Sequence, residues 1–289
     1  MVEHNYHRPN TVIEAIDLLS QFGENYIIIA GGTDIVPILS KENKNTSKNL
    51  VDISNINELK GITLEDNCIK IGALTTFTQL LKNPLIREYA NALYEAAYEV
   101  GSPQIRNLGT IGGNIINASV AADSIGPLMC LDAEVTLVSS AGSRSMSIEE
   151  FYKDGKKTAL KNGELLLCIR LSIKQDNSVS TFVKLGKRKS LAIMMLGISL
   201  MVHCDKDVCT DSRVVLCAVS PFPKRIHNIE QLLVGQKINQ SKILECADAL
   251  SKEVEKMIPT RKSVDYKRES VKGVAKQAFS NINKMLNER

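Results

Sequence analysis

The 289-residue sequence contains no tryptophan, and aromatic residues make up only 4% of it, so a stacking platform for single-stranded nucleic acid has little to be built from. Net charge points the same way, because 36 Lys and Arg against 32 Asp and Glu leave only +4, far from the basic excess of a nucleic-acid binder. No stretch approaches the roughly 18 to 20 consecutive apolar residues of a membrane span. Met1 to Pro9 lacks the apolar core of a secretory signal. The four histidines, at 4, 7, 203 and 227, flank neither a candidate nucleophile nor a metal cluster, so a hydrolytic triad is not expected.

Cysteine chemistry is excluded in the same manner. The seven cysteines, at 68, 130, 168, 204, 209, 217 and 246, form an odd set without Cys-x-x-Cys, which reads as free thiols in a reducing compartment, the cytoplasm. Cys204 and Cys209 come closest to a pair, but Asp205-Lys206-Asp207 between them reads as a hairpin tip. Neither a metal site nor an iron–sulfur cluster is expected on this chain. The charge that does accumulate lies near the end, where residues 251–289 carry ten Lys and Arg against five Asp and Glu on a helical pattern. That excess reads as a solvated face, with docking of an acidic partner as the alternative.

What is present is enough apolar sequence, 44%, to bury a core in two domains. Two glycine pairs also stand out. Ala30-Gly31-Gly32-Thr33-Asp34 follows the apolar run Tyr26 to Ile29, and Thr110-Ile111-Gly112-Gly113-Asn114 precedes Ile115-Ile116. Glycine lets backbone N–H groups approach an anion without an intervening Cβ, so the two segments read as loops that close on one phosphate-bearing ligand. Each alone is an ordinary turn signal.

Periodicity organises the rest. Val12, Ala15, Ile16, Leu18, Leu19 and Phe22 fall at helical spacing before the strand Tyr26 to Ile29, and Thr33 or Asp34 is placed to cap a following helix. Further strands are expected at Leu50 to Ile53 and Ile69 to Ala73, a capped helix at Phe77 to Leu81, and one long helix from about Leu85 to Val100. Asp123-Ser124 reads as the cap of a helix from Ile125 to Leu131. Glu134 to Val138 and Arg144 to Ile148 read as a hairpin, with Leu165 to Leu171 and Thr181 to Lys184 as the last strands of this half. Lys174 to Ser180 is the linker candidate. Strands at Leu196 to Cys204 and Arg213 to Val219 then precede helices at Ile226 to Val234, Ser241 to Met257 and Asp265 to Leu286, a strands-then-helices order typical of α+β domains.

Familiar nucleotide signatures are missing. No Gly-x-Gly-x-x-Gly opens a helix, and Gly186-Lys187-Arg188-Lys189-Ser190 has the wrong order for a phosphate-binding P-loop. The residues leave a backbone-built phosphate cradle with an unnamed ligand.

The order of motifs supplies a name. Tyr6-His7-Arg8-Pro9, the first glycine segment, Ile71-Gly72-Ala73-Leu74-Thr75-Thr76, Pro103-Gln104-Ile105-Arg106-Asn107 running into the second glycine segment, Ala122-Asp123-Ser124, Ser220-Pro221-Phe222-Pro223-Lys224-Arg225 and Asp265-Tyr266-Lys267-Arg268 together resemble the FAD-binding subunit of the molybdenum hydroxylases, the xanthine dehydrogenase and carbon monoxide dehydrogenase family. The resemblance covers essentially the whole chain. It implies an α+β fold: a two-lobed flavin-binding domain of the PCMH (vanillyl-alcohol-oxidase-like) type over residues 1–176, with subdomains of about 1–55 and 56–176, then a smaller α+β C-terminal domain over 181–289.

The resemblance also implies roles. Ile27, Ile28, Ile29, Ala30, Gly31, Gly32, Thr33 and Asp34 correspond to the first FAD-contacting stretch, and Thr110, Ile111, Gly112, Gly113 and Asn114 to the second. Asp123 corresponds to an aspartate beside the flavin nucleotide, Leu166 to an apolar flavin contact, and Lys184 to a lysine near the ring system. From the residues alone, Asp123 reads as a helix cap and Lys184 as a solvent-facing strand lysine. Lys187-Arg188-Lys189 reads as a solvated turn, or as a mobile loop that influences acceptor access.

No side chain of this chain is expected to be catalytic, because non-covalently bound FAD carries the redox chemistry. The implied function is an oxidoreductase component that passes electrons from iron–sulfur clusters through FAD to NAD. The iron–sulfur and molybdopterin centres are expected on partner subunits, in a heterotrimer or a dimer of heterotrimers, with neither nucleic acid nor membrane as partner. A xanthine dehydrogenase-like complex is the first expectation. Nicotinate, carbon monoxide or another aromatic heterocycle as substrate, a flavin-free assembly module, and a stand-alone flavin reductase are the alternatives.

Overall fold

The computed structural model describes residues 5–41, 48–152, 158–173 and 178–288. Three sheets organise them, in chain order. Strands β1 (Asn5–His7), β2 (Tyr26–Ile29) and β3 (Asn49–Asp52) form a small parallel sheet in the order β1-β3-β2. The helix Val12–Phe22 covers it with Val12, Ala15, Ile16 and Leu19, the buried positions of the 3.6-residue pattern. Thr11 starts that helix by accepting a hydrogen bond from the Glu14 N–H, and Gly23, at φ +60°, ends it.

The second sheet is antiparallel, with β4 (Ile62–Glu65), β5 (Cys68–Gly72), β6 (Glu134–Ser139), β7 (Gly142–Ser147) and β8 (Leu165–Ser172) in the order β4-β5-β8-β6-β7. β6 and β7 form the expected hairpin. Helices Phe77–Lys82, Asn91–Glu99, Ile111–Asn117 and Ile125–Cys130 supply the rest of its core, among them the buried Phe77, Leu93, Ile111, Ile115 and Leu128.

The third sheet, β9 (Ser178–Gly186), β10 (Met194–Asp205), β11 (Val208–Cys217) and β12 (Lys224–Arg225), is antiparallel in the order β12-β11-β10-β9. It is covered on both sides. Phe182, Met194, Met201, Val215 and Cys217 join the core of the second sheet. Leu196, Ile198, Leu200, Val202, Val214 and Leu216 pack with helices His227–Leu233, Gln240–Met257 and Val264–Asn287. Burial on both faces explains why Met194 to Val202 reads as a nearly continuous apolar run rather than an alternating one.

Five readings of the sequence need correction. Thr181 to Lys184 belongs to β9, which pairs with β10 in the third sheet instead of closing the first half. The helix expected from Leu85 to Val100 is two, Pro84–Tyr89 and Asn91–Glu99, separated at Ala90, whose φ of −134° and ψ of 47° leave the helical region. Pro103–Leu108 is an additional helix, started by a Ser102 cap with Pro103 in its first turn, a signal present in the sequence. The second glycine segment is no loop: Gly112 and Gly113 lie in the first turn of Ile111–Asn117. Of the linker candidate, residues 174–177 lie outside the described residues, and Ser178 to Ser180 begin β9.

Among the described residues no helix is long and apolar enough to cross a membrane.

Candidate functional site

A cleft of about 710 Å³ runs between the first two sheets and the β9–β10 turn, within the size range of small-molecule and cofactor sites. Its walls are largely apolar, with Ile28, Ile53, Leu74, Phe77, Ile116 and Leu166 among them. Of the residues singled out from the sequence, Ile28, Ala30, Gly31, Gly32, Thr33, Asp34, Thr110, Gly112, Gly113, Asn114, Asp123 and Leu166 line it. Ile27, Ile29, Ile111 and Lys184 do not. Ile111 is fully buried in the second core, and Lys184 reaches the cleft only through Asp123.

The first glycine segment leaves β2 and turns into the short helix Ile35–Leu39. Gly32 sits at φ +70°, a region L-residues rarely adopt. A Cβ on Gly31 would fall 1.9 Å from the Leu108 carbonyl oxygen, because this turn lies directly against the end of Pro103–Leu108. Asp34 occupies the cap position of Ile35–Leu39 but makes no capping bond with its side chain. Among the described residues, the backbone N–H groups of Gly31, Gly32, Thr33 and Asp34 find no acceptor, and neither does the Thr33 hydroxyl. Four consecutive amides of this kind on a cleft wall, one at positive φ, are donors available to an anion.

The second glycine segment is built differently. The Ile111 N–H donates to the Thr75 carbonyl at 2.9 Å, Gly112 to the Ala73 carbonyl at 2.9 Å, Gly113 to Thr110 Oγ1 at 3.1 Å, and Asn114 to the Thr110 carbonyl at 3.0 Å. All four donors of this first turn are engaged inside the protein. Its glycines answer to packing: a Cβ on Gly112 would meet the Ala73 carbonyl oxygen at 2.6 Å, and one on Gly113 the Thr110 hydroxyl at 2.9 Å. Asn114 accepts from Ser124 Oγ at 2.6 Å, which leaves its amide NH₂ for the cleft.

On the side wall, Lys184 Nζ stands 2.8 Å from Asp123 Oδ2 and donates also to the Glu99 carbonyl at 3.1 Å. Burial pushes the Asp123 carboxyl up to about 6, against the pull of Lys184 and with a small push from Glu99. Asp123 is therefore not a helix cap: Ser124 takes the cap position of Ile125–Cys130. Nor does Lys184 face solvent, since its side chain is 3% exposed.

Sequence reasoning missed three parts of the wall. Leu191, Ala192 and Ile193 come from the β9–β10 turn, whose tip is tied by Arg188 donating to the Leu191 carbonyl. Lys187, Arg188 and Lys189 themselves stay exposed and outside the lining. Val100, Gly101 and Ile105 contribute from the segment leading into Pro103–Leu108. Glu164 also lines the cleft, held by a two-pronged pair with Arg144 at 2.7 and 2.8 Å that keeps its carboxyl below the usual range. The signals available were the apolar Leu191-Ala192-Ile193 next to the basic run and Ile105 within Pro103-Gln104-Ile105-Arg106-Asn107.

Known proteins share this architecture. Residues 2–171 match the family described as the FAD binding domain in molybdopterin dehydrogenase, and residues 181–282 match the CO dehydrogenase flavoprotein C-terminal domain. The chain is 40% identical to the nicotinate dehydrogenase FAD-subunit of Eubacterium barkeri over 98% of its own length and 97% of the relative's. It is 30% identical to the putative xanthine dehydrogenase FAD-binding subunit of Escherichia coli strain K12, over 96% and 94%. Among solved structures, a chain of the carbon monoxide dehydrogenase from Hydrogenophaga pseudoflava superposes with a TM-score of 0.87 at 28% identity, covering 96% of both chains. The protein belongs to the FAD-binding subunits of the molybdenum hydroxylase family.

Proposed function

We propose that this chain holds FAD in the cleft and relays electrons from an iron–sulfur subunit to NAD within a molybdenum hydroxylase that oxidises an aromatic nitrogen heterocycle. The observation that carries the reading is the row of amides at Gly31 to Asp34, without acceptors among the described residues, on the wall of an otherwise apolar cleft. The residues fit the group: a diphosphate needs donors and no Cβ in the way, while the two ring systems need apolar walls such as Ile28, Phe77 and Leu166. When bound, FAD supplies the two-electron carrier chemistry. Gly31 to Asp34 bind the pyrophosphate, Asn114 offers a further donor, and Phe77 and Leu166 exclude water from the cleft.

The domain division follows the same reading, with FAD binding assigned to residues 1–176 and a C-terminal domain to 181–289. Iron–sulfur and molybdopterin centres reside on separate subunits, in a heterotrimer or its dimer. For the substrate, identity of 40% to the nicotinate dehydrogenase subunit against 30% to the xanthine dehydrogenase subunit favours a pyridine carboxylate over the purine first expected.

The purified chain should bind FAD with one-to-one stoichiometry and show the flavin visible spectrum. A colourless chain that takes up no FAD on reconstitution defeats the proposal. The complex purified with its partner chains should reduce NAD with nicotinate faster than with hypoxanthine, and the reverse order restores the purine reading.

A further inference from the structure

The Asp123–Lys184 pair has a feature that holding a diphosphate does not explain. Lys184 is fixed twice, by Asp123 Oδ2 and by the Glu99 carbonyl. Asp123 is fixed once. Its Oδ1 is buried and has no hydrogen-bond partner among the described residues, on a side chain 10% exposed that lines the cleft. A buried carboxylate oxygen without a donor is costly, and its removal from charge by protonation relieves that cost.

The groups facing the pair are few. Glu99, at the end of Asn91–Glu99, adds a distant like charge. Cys217 of β11 lies behind, its thiol pushed up to about 12 by burial and so uncharged. Lys184 is the cation, and Asp123 itself titrates near neutrality at about 6. Val100, next in sequence to Glu99, and Ala192, which packs on Gly186 of the strand that carries Lys184, also line the cleft. Apolar side chains of this kind suit an aromatic ring.

The inference rests on the FAD reading above. We propose that Asp123 is the redox-linked proton acceptor of the cleft: when two electrons and one solvent proton enter the bound flavin ring, a second solvent proton settles on the Asp123 carboxylate. The electrons come from the iron–sulfur donor, or from dithionite in the test. Charge balances at both ends. Before reduction the ring is neutral, the carboxylate is −1 and the ammonium +1; afterwards the ring is −1, the carboxyl neutral and the ammonium +1. Without the second proton a new anion would form in the cleft beside a buried carboxylate whose Oδ1 has no donor among the described residues. With it, the positive charge of Lys184, no longer neutralised by Asp123, offsets the anion.

The test is the midpoint potential of the FAD-loaded full chain, titrated with dithionite and followed in the visible between pH 7 and 8. Each coupled proton changes the equilibrium tenfold per pH unit, about 30 mV for a two-electron couple. The wild type is expected to fall by about 60 mV per pH unit, Asp123→Glu to keep that slope, and Asp123→Asn to fall by about 30 mV. Should Asp123→Asn lose its flavin, the reduced-minus-oxidised infrared spectrum of the wild type decides, since a protonated-carboxyl band that shifts in D₂O must appear on reduction. A wild-type slope near 30 mV without that band overturns the inference while leaving FAD binding intact. A chain that never binds FAD overturns the reading beneath it instead.

Discussion

At Gly31-Gly32, four successive N–H groups lie on the cleft wall with no acceptor among the described residues. At Gly112-Gly113 every N–H from Ile111 to Asn114 is engaged within the fold. The two pairs have similar neighbours in sequence, a threonine beside each and an apolar run close by. Both pairs permit a close backbone approach, Gly31 to Leu108 and Gly112 to Ala73, but only the first leaves its amides without acceptors among the described residues. A glycine pair is therefore ambiguous evidence for anion binding until its amides have been traced to their acceptors.

Mutations can break this comparison. The largest effect is expected for Gly31→Ala, whose methyl would lie 1.9 Å from a backbone oxygen that has no rotamer to escape through. It should destabilise the chain by about 3 kcal/mol or more, the upper range for overpacking, and abolish flavin binding. A wild-type melting temperature with full flavin content would refute the close approach.

Lys184→Met probes the other wall. It should cost about 3 kcal/mol at pH 8, because it strands a buried carboxylate. The sign follows from Asp123, whose folded value of about 6 lies above its unfolded one. The folded state then binds more protons, and stability falls as pH rises through that window; in the variant Asp123 has lost the lowering pull of Lys184 and protonates at higher pH than in the wild type, so the deficit is full at high pH and shrinks as the pH falls toward 6 and below. Urea denaturation of wild type and variant at pH 5 and 8 measures it, and a pH-independent deficit contradicts the assignment.

Gly112→Ala should cost about 2 kcal/mol by pressing a methyl against the Ala73 carbonyl, with or without FAD. If its cost appeared only in the FAD-loaded protein, the second pair would be a ligand contact after all. The threonines give the finest contrast. Thr110→Val removes the cap on the Gly113 N–H and should lower stability by about 1 kcal/mol with little change in FAD affinity. Thr33→Val removes a hydroxyl without an internal partner among the described residues. It should leave the melting temperature of the flavin-free chain unchanged while weakening FAD by about 5- to 10-fold, the value of one net hydrogen bond. Titration calorimetry and melts on both variants should show these opposite patterns.

Much of the fold and of the cleft is legible in the residues themselves. The period-2 and period-3.6 patterns locate most strands and helices within a residue or two, and Thr11, Thr76 and Ser102 cap the helices they precede. The ordered motifs identify the family. Misreadings arise where a local pattern has two tertiary outcomes. Thr181 to Lys184 looks like any buried strand, and only its pairing with β10 places it in the third sheet. Leu85 to Val100 keeps a helical period through Ala90, where the chain nevertheless breaks.

Glycine placement, apolar periodicity and capping residues are properties of short segments, so most elements, the family and the two glycine segments at the cleft follow from residue order. Which amides remain free, which carboxylate oxygen lacks a donor, and that Lys184 faces Asp123 across 61 positions of chain emerge only when distant segments meet in space. Each depends on the acceptors those segments bring: the Ala73 carbonyl and the Thr110 hydroxyl engage the N–H groups of the second glycine pair, and among the described residues no carbonyl accepts from those of the first.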